Sequence, residues 1–534
     1  MILKSSPKIF QNYKSNHPAK TISAVKKSFK KLGLNLNNLK YRGEKVGDIF
    51  SIYGGEITYG GEYVCAGKGL SLQLSEASAY AEAAERIPPN MSPLSAHINR
   101  KLDIEGAWMK GYSKGTQDKI KNALGVEEFF KGFPNIDIRE IREGELAKHW
   151  VDAYSLTEDK RIKVPPPLVR EISGSNGCAA GNTMEEAIHQ GFAEVCERYS
   201  LIRYITENLS APTVNKKTIK NKEIKNLIEL FDSLNISVEI KDLTMGNKVP
   251  VMGVVFTNHN LDYDKDSLRY RLFHRTLHAG SHLDLNQAII RCFIEEWQTS
   301  TNTQALMYHR EMNIIDRYFD EKRKKEIVDN FNKDFNPLMV FNRSFSDFDF
   351  IDRNAPIISF GDLVSHETDD FYDDVKIISN LSQKNGWKPL IMDYSIPEIP
   401  LSVIRMVIPT VSDTLRYNHP DKKEEIKIPY DKKLVPSLKS FSAHNKIKTK
   451  EIISAAENPS VFKSFLAKKN INVKEIVPLL EKELIEHMVT PYPPYRTLEY
   501  NPPELLKILR SGLMIMGNKQ KSSKTEALLE DYPA

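Results

Sequence analysis

Acidic side chains recur at one spacing in three helix-forming segments of this 534-residue chain. Each segment carries polar residues at positions i, i+4 and i+7, which lie on one face of an α-helix. The three sets are Ser78, Glu82 and Glu85; Gln190, Glu194 and Glu197; and Arg291, Glu295 and Gln298. Arg86 and Arg198 directly follow the first two sets. The spacing therefore predicts three helices that display carboxylates on one side.

A cation shared between the three helices would offset the repulsion between the paired glutamates of the first two sets. Two glutamates three residues apart repel by about 0.2–0.5 kcal/mol on an exposed helix. Ligand sets made only of oxygen atoms suit Mg²⁺, which keeps water and substrate phosphates as its other ligands. The absence of histidine and thiol ligands argues against zinc. The sequence thus favours a magnesium site, and the alternative is three solvated helix faces with local salt bridges.

Turn-forming residues precede the first two of these helices. Gly67-Lys-Gly69 stands before the first, and Ser175-Asn-Gly177 and Gly181-Asn182 stand before the second. Glycine lets backbone N–H groups approach an anion at a helix N-terminus, which predicts a phosphate ligand near the metal. Thr183 and Glu186 also fit a capping box, which by itself would account for Glu186.

Short β-like runs alternate with longer helical patterns, which predicts an α+β fold with a mixed α/β core. The predicted strands are Asp48–Tyr53, Val249–Thr257, Pro356–Phe360, Lys388–Asp393 and Leu401–Pro409. The predicted helices are Ala19–Leu32, Leu72–Arg86, Met184–Ile205, Asn286–Gln304 and Asp320–Asn332. The β-like runs stop beyond Lys432. We therefore predict a basic N-terminal helical arm (1–45), a core (46–430) and a helical C-terminal extension (431–534), with residues 517–534 frayed.

The composition, 40% hydrophobic and 27% charged residues, is ordinary for a folded protein. The net charge of +5 hides a basic start, because residues 1–45 contain eleven Lys and Arg against one acid, Glu44. Apolar residues at helical spacing from Ile22 to Leu32 favour the solvated face of an amphipathic helix over a nucleic-acid-binding arm. No aromatic RNA-binding signature accompanies the charge, so nucleic acid is not an expected partner.

The cysteines and the apolar runs predict a cytoplasmic protein. Cys65, Cys178, Cys196 and Cys292 are far apart and form no CxxC pair, which fits reduced thiols better than disulfides or a zinc site. Cys178 or Cys196 could be a nucleophile, but a small buried hydrophobic residue is the favoured interpretation. The start of the chain lacks an apolar stretch of signal-peptide length, and no run is long enough to cross a bilayer. We expect neither secretion nor membrane insertion.

In their order, the motifs resemble those of the YcaO family of ATP-dependent enzymes, across residues 20–415. The resemblance rests on Gly67-Lys-Gly69 with the first set, on the run Ser175–Asn182 with the second, and on Gly280-Ser-His-Leu-Asp284 before the third. It implies that the core is a YcaO-type catalytic core that binds ATP and Mg²⁺. Family members use ATP to phosphorylate the oxygen of a peptide backbone amide. A nucleophile then adds to the carbonyl carbon, and phosphate leaves.

Carried over by position, the resemblance implies particular site residues. The implied metal ligands are Glu82, Glu85, Glu194, Glu197 and Glu295. The implied nucleotide contacts are Lys14, Thr21, Ser78, Glu82, Asn182, Glu186, Gln190, Glu194, Arg198, Arg291, Gln298 and Arg405, with Gln190 and Gln298 supporting the others. Arg198 and Arg291 would act in catalysis by neutralising charge on the phosphoryl oxygens. His189, His278 and His282 could each be a general base, although a structural role is favoured.

Two features bear on the branch of the family. Peptide-cyclising members commonly end in a PxPxP tail, whereas this chain ends in Glu530-Asp-Tyr-Pro-Ala534, and Tyr199 stands where they often have Asp. The sequence is therefore closer to stand-alone members linked to β-methylthiolation of a ribosomal protein, in an accessory or thioamide-forming role. The alternatives are an azoline-forming peptide cyclodehydratase and a non-catalytic nucleotide-binding scaffold.

The expected partners follow from this interpretation. They are a peptide or protein substrate, a partner protein that recruits the substrate or delivers sulfur, and a second copy of the chain in a homodimer.

Overall fold

The computed structural model describes eleven ranges of the chain and the two positions 169 and 173. A few single positions inside these ranges are left out of the description. The ranges are 1–32, 36–37, 50–53, 56–57, 66–86, 151–164, 175–261, 274–301, 349–412, 449–480 and 502–530. The chain divides into two units. The first comprises Met1–Tyr263, Arg271–Thr303 and Asn336–Ile428, and the second comprises Asp264–Tyr270, Gln304–Phe335 and Pro429–Ala534. The division into arm, core and extension stays a prediction.

Four of the predicted helices begin and end close to their predicted residues. The described α-helices of the first unit are α1 (Pro18–Lys31), α2 (Leu72–Arg86), α3 (Met184–Thr206), α4 (Lys222–Ser233), α5 (Leu285–Thr301), α6 (Asp349–Asp352) and α7 (Phe371–Lys384). In the second unit they are α8 (Thr449–Ala456), α9 (Pro459–Lys468), α10 (Pro502–Ile515) and α11 (Lys519–Glu530). The four that match are α1, α2, α3 and α5, whereas α4, α6 and α7 were not predicted. The predicted helix Asp320–Asn332 lies outside the described residues.

The described strands form two five-stranded sheets and two strand pairs, and all of them belong to the first unit. The strands are β1 (Leu36–Asn37), β2 (Phe50–Tyr53), β3 (Glu56–Ile57), β4 (Ala66–Gly69), β5 (Val151–Ser155), β6 (Lys160–Val164), β7 (Cys178–Gly181), β8 (Thr213–Val214), β9 (Ile236–Asp242), β10 (Val251–Asn258), β11 (Arg275–Ser281), β12 (Ile357–Ile358), β13 (Leu390–Asp393) and β14 (Ser402–Val407). One sheet has the order β11-β10-β9-β8-β12 and the other β6-β5-β13-β14-β7, while β1 pairs with β3 and β2 with β4. Only β8 and β12 pair in parallel among the described strands. The predicted α+β fold is confirmed.

The predicted strand Pro356–Phe360 is shorter in the structure. Only Ile357–Ile358 pairs with β8. The backbone then turns, because Ser359 caps a 3₁₀ helix at Phe360–Asp362 and exchanges the two hydrogen bonds of a capping box with Asp362.

Each glutamate-bearing helix follows a strand and packs against it. The pairs are β4 with α2, β7 with α3 and β11 with α5. A Cβ atom on the strand's glycine would meet a backbone atom of the helix, at 1.9 Å from the Ser75 oxygen for Gly67, 2.5 Å from the Ala187 nitrogen for Gly181 and 2.3 Å from the Ala288 oxygen for Gly280. Glycine therefore sets the distance between strand and helix in all three pairs.

Aromatic packing holds α5 on its sheet. The ring of Phe293 lies 5.5 Å from that of Phe256 in β10, in an edge-to-face arrangement. Phe256 in turn lies 4.9 Å from Phe231 of α4. All three rings are buried, and such pairs contribute about 0.5–1.5 kcal/mol beyond the burial of their area. This core fixes the helix that carries Arg291 and Glu295.

The second unit corrects one prediction. Residues 517–534 are predicted to fray, but Lys519–Glu530 forms α11 and packs on α10. Ser522 of α11 is buried, and Arg510 of α10 pairs with Glu526 of α11. The segment is polar, so its sequence alone shows little apolar periodicity. Among the described residues, no helix has the length and apolar character needed to cross a bilayer.

Candidate functional site

The N-terminus of α3 carries a buried carboxylate that several segments contact. Glu186 accepts hydrogen bonds from the backbone N–H and the side-chain amide of Asn182, at 3.2 and 3.0 Å. The Nζ atom of Lys14 lies 3.3 Å from Oε1 of Glu186, and the Ser15 hydroxyl donates to Oε2. Thr21 donates to the side-chain oxygen of Asn182 at 2.6 Å. The structure thus brings together four of the predicted nucleotide-contact residues, Lys14, Thr21, Asn182 and Glu186.

Glu186 does more than cap the helix. Thr183 accepts from the Glu186 backbone N–H at 3.2 Å, which is one half of the predicted capping box. The Glu186 side chain also accepts from the Ser15 hydroxyl and pairs with Lys14, and so joins the N-terminal segment to α3. Burial raises the pKa of Glu186, but the Lys14 charge and the hydrogen bonds from Ser15 and Asn182 outweigh burial. The pKa therefore lies below its ordinary value, and the carboxylate is ionised at neutral pH.

The residues before α1 lie across the N-terminal ends of α3 and α7. The Lys4 backbone N–H donates to Glu185 at 2.6 Å, and the Ser6 backbone N–H donates to Asp370 at 2.7 Å. The Nζ atom of Lys8 lies 2.8 Å from Oδ2 of Asp374. These contacts fix the segment that carries Lys14.

A second contact joins α3 to α5. Nη1 of Arg291 donates to Oε1 of Gln190 at 2.8 Å. Gln190 follows Glu186 by four residues, so both side chains leave the same face of α3. The two predicted residues Gln190 and Arg291 therefore extend the cluster around Glu186 by one helical turn.

The ammonium group of Lys68, in β4, lies among glutamates from three helices. It forms an ion pair with Glu295 of α5. The negative charges of Glu197 in α3 and Glu82 in α2 also act on it. Within α3, Arg198 lies 3.7 Å from Glu194 and 3.9 Å from Glu197. The sequence predicts a cation shared by three helices, and in this structure that cation belongs to a lysine.

The environment of Lys68 is strongly charged. Burial and the positive charges of Arg291 and Arg198 lower its pKa to about 8, while Glu197 and Glu82 act in the opposite direction. The side chain is 34% exposed, so solvent screens part of these interactions. At neutral pH the group is mostly protonated, and it neutralises Glu295.

Four further predicted site residues are not in contact with Glu186 or Lys68 in any bond given above, or have a side chain that the structure does not describe. Glu85 accepts from the Ala180 backbone N–H at 2.9 Å and so ties α2 to β7. Ser78 is partly buried on the same face of α2. Arg405 is 1% exposed and donates to the Ser173 hydroxyl at 3.2 Å. The side chain of Gln298 lies outside the described residues. The roles of these four stay predictions.

The carboxylates suit a metal ion whose coordination is completed by a second ligand. Within the described ranges, no three His, Cys, Asp or Glu side chains are grouped closely enough to hold a metal ion alone. Mg²⁺ usually takes one or two carboxylates, and phosphates and water complete its coordination. Glu82, Glu197 and Glu295 stand on three different helices and offer oxygen atoms only. This donor set therefore fits Mg²⁺ bound together with a nucleotide.

The histidines and cysteines near the site are buried. His189 pairs with Asp374 at 2.6 Å, His278 lies 2.7 Å from Glu296, and the ring of His282 lies 4.3 Å from that of His189. Burial lowers the pKa of His189 and of His282, which keeps both neutral. These environments favour the structural role.

Cys178, Cys196 and Cys292 are also buried, and burial raises the pKa of the Cys196 and Cys292 thiols. The environment of Cys196 favours the buried-hydrophobe interpretation, since only the thiolate is a good nucleophile. Cys65 lies outside the described residues.

Sequence reasoning missed Lys68 and Ser15. The motif Gly67-Lys-Gly69 predicts a close approach of the backbone to an anion through its glycines, and this interpretation leaves the lysine without a role. The signal available was a lysine directly before a helix of glutamates whose charges require an offset. Ser15 offers no such signal, because its contact with Glu186 joins residues far apart in sequence.

A family model described as "YcaO cyclodehydratase, ATP-ad Mg2+-binding" matches residues 66–412. An uncharacterised protein of Methanothermobacter thermautotrophicus is 26% identical over 301 residues, which cover 53% of this chain and 69% of that protein. The ribosomal protein S12 methylthiotransferase accessory factor YcaO of Escherichia coli is 30% identical over 103 residues, which cover 19% of this chain and 18% of that protein.

Among solved structures, a heterocyclase in complex with substrate and cofactor has a similar fold. The TM-score is 0.51 at 18% sequence identity, and the match covers 77% of this chain and 54% of the heterocyclase. The similarity thus spans about half of that protein's length.

Proposed function

This chain belongs to the YcaO family, whose cofactors are ATP and Mg²⁺, and from that premise we propose that it phosphorylates the oxygen of a backbone amide in a peptide or protein. The activity would serve post-translational modification, as an accessory to β-methylthiolation or in thioamide formation. A partner protein would recruit the substrate or deliver sulfur.

One observation carries the proposal. Glu295 of α5 pairs with the ammonium group of Lys68, and the negative charges of Glu197 in α3 and Glu82 in α2 act on the same group. The same helix α3 presents the Lys14–Glu186 pair and the Gln190–Arg291 pair on one face. Oxygen ligands for a hard cation therefore lie beside basic groups that suit phosphates.

The proposed chemistry needs positioning and charge neutralisation more than a side-chain nucleophile. ATP supplies the phosphoryl group that converts the amide oxygen into a leaving group. Arg291, held by Gln190, and Arg198 would neutralise charge on the phosphoryl oxygens. Glu82, Glu197 and Glu295 would hold Mg²⁺. The contacts of the N-terminal segment with α3 and α7 would keep Lys14 oriented before the nucleotide arrives, which lowers the cost of ordering the site.

A second candidate is azoline formation in a ribosomal peptide. The description of the matched family as a cyclodehydratase favours it. The accessory role draws support from the name of the Escherichia coli relative, of which this chain spans 18%. The products differ in mass, because an azoline forms with loss of one water per site and a thioamide with exchange of oxygen for sulfur. Mass spectrometry of peptides treated with the enzyme, ATP and sulfide would therefore separate the candidates.

Binding and turnover of ATP test the shared step. We expect Glu82→Gln and Glu197→Gln to abolish Mg²⁺-dependent ADP release, because each removes a carboxylate that would hold Mg²⁺ in the proposed site. Glu76→Gln is the matched control, since Glu76 lies on the same helix α2 but pairs with Lys26 of α1. Calorimetry with ATP and Mg²⁺ would show whether binding is lost as well. Normal ADP release by both variants would refute the proposal, and binding without turnover on any peptide would favour a scaffold.

A further inference from the structure

Lys68 supplies the positive charge that offsets the repulsion among the glutamates. Its protonated amine has no lone pair and therefore cannot bind a metal ion. Its ammonium group pairs with Glu295 and feels Glu82 and Glu197. Arg198 and Arg291 add positive charge at the same place. A divalent cation that binds Glu295 must therefore displace the ammonium group, and it meets repulsion from three positive side chains.

The fold directs Lys68 to this place. A Cβ atom on Gly67 or Gly69 would collide with α2, at 1.9 Å from Ser75 and 2.6 Å from Leu74. Both glycines therefore face α2. Side chains alternate along a strand, so Lys68 leaves the opposite face of β4. From there its side chain reaches α5, where it pairs with Glu295.

We propose that Lys68 is an exchangeable counter-ion, which neutralises Glu295 in the nucleotide-free protein and moves to a phosphate oxygen when ATP and Mg²⁺ bind. This inference rests on the proposed nucleotide site and adds a residue and a binding order to it. The triphosphate brings its own negative charge, which both attracts the ammonium group and frees Glu295 for the metal. No bond is made or broken in this step, because only ion pairs exchange.

The exchange couples metal binding to nucleotide binding. Without ATP, Lys68 competes with the metal for Glu295, so the divalent cation binds weakly. With ATP, Lys68 becomes a favourable contact for the nucleotide. By thermodynamic linkage, ATP and the metal ion must each raise the affinity for the other by the same factor. Such factors are commonly about 5- to 150-fold.

The test replaces Lys68 in the full-length chain and uses Mn²⁺ as the metal probe. Free Mn²⁺ can be counted by electron paramagnetic resonance with and without ATP, and ATP binding can be measured by calorimetry. We expect Lys68→Met to bind Mn²⁺ about 5-fold or more tightly without nucleotide, and ATP about 5-fold or more weakly with Mn²⁺ present. The two changes have opposite signs, which general damage to the site would not produce.

Two controls complete the comparison. Lys68→Arg keeps the charge and should resemble the wild type. Lys26→Met removes a lysine that pairs with Glu76 and should change neither affinity. If Lys68→Met does not fold, as judged by circular dichroism, Lys68→Gln gives the same comparison.

The outcomes separate this inference from the proposed function. Unchanged or weaker Mn²⁺ binding by folded Lys68→Met without nucleotide would overturn the counter-ion role, while normal ATP binding would leave the nucleotide site standing. If wild type and variant bind neither ATP nor Mn²⁺, the proposed function and the inference fall together.

Discussion

Replacing Asp374 with asparagine should destabilise the first unit far more than the same change at the neighbouring Asp373. The Asp374 side chain is 0% exposed and that of its partner Lys8 is 2% exposed. His189, at 3% exposure, pairs with the same carboxylate, and Thr368 donates to it at 2.5 Å. Asparagine keeps the shape of the side chain but removes its charge, which leaves the Lys8 ammonium buried without a counter-charge.

The magnitude follows from this burial. Removing one partner of a buried ion pair costs about 3–5 kcal/mol, because the remaining charge has lost its solvation. Asp373 is the matched control. It lies in the same first turn of α7, and its pair with Lys376 at 2.9 Å is more than half exposed on both sides. Asp373→Asn should therefore change the free energy of unfolding little.

Urea unfolding followed by circular dichroism and tryptophan fluorescence would measure both variants. The double variant Lys8→Met with Asp374→Asn should be more stable than Asp374→Asn alone, because it removes the stranded charge as well. Equal stability losses for Asp373→Asn and Asp374→Asn, or a double variant no better than the single one, would refute the reasoning.

Two further predictions concern pH and packing. Burial lowers the pKa of His189 and His282 below the ordinary 6.5, so on acidification the unfolded chain takes up protons before the folded chain does. The free energy of unfolding should therefore fall as the pH drops below about 7, by up to about 1.4 kcal/mol per pH unit for each histidine. Urea midpoints that stay constant from about pH 7.5 to 5.5 would contradict this prediction. Gly67→Ala should destabilise the first unit by about 1–3 kcal/mol or more, since its Cβ atom would lie 1.9 Å from the Ser75 oxygen. Gly361→Ala is the control, because its nearest neighbour would be 3.8 Å away, and equal urea midpoints for the two variants would show that the contact is unimportant.

The helices that carry the site could be predicted from sequence because their patterns are local. Leu72–Arg86 matches its predicted range, and α3 begins at Met184 as predicted, since Thr183 supplies a recognisable cap. Spacing within a helix also placed Glu82 and Glu194 on helix faces. The resemblance to a known family supplied Lys14 and Thr21, which have no helical set to reveal them.

The contacts between distant segments could not be predicted from spacing. Lys8 and Asp374 are buried together although each looks like an ordinary surface residue in sequence. α11 is polar, and its order depends on packing against α10, which no local pattern reports. For Lys68, the sequence shows the charge and the glycines but not which of three helices the side chain will meet.

The three strand–helix contacts at Gly67, Gly181 and Gly280 bear on which ion the site would accept. Mg²⁺ needs oxygen atoms at about 2.0–2.1 Å, whereas Ca²⁺ accepts them at about 2.3–2.6 Å. A side chain at any of these glycines would push one carboxylate-bearing helix away from its strand by at least as much as the Mg²⁺ and Ca²⁺ distances differ. The discrimination between small and large cations would then be set by residues that never touch the ion.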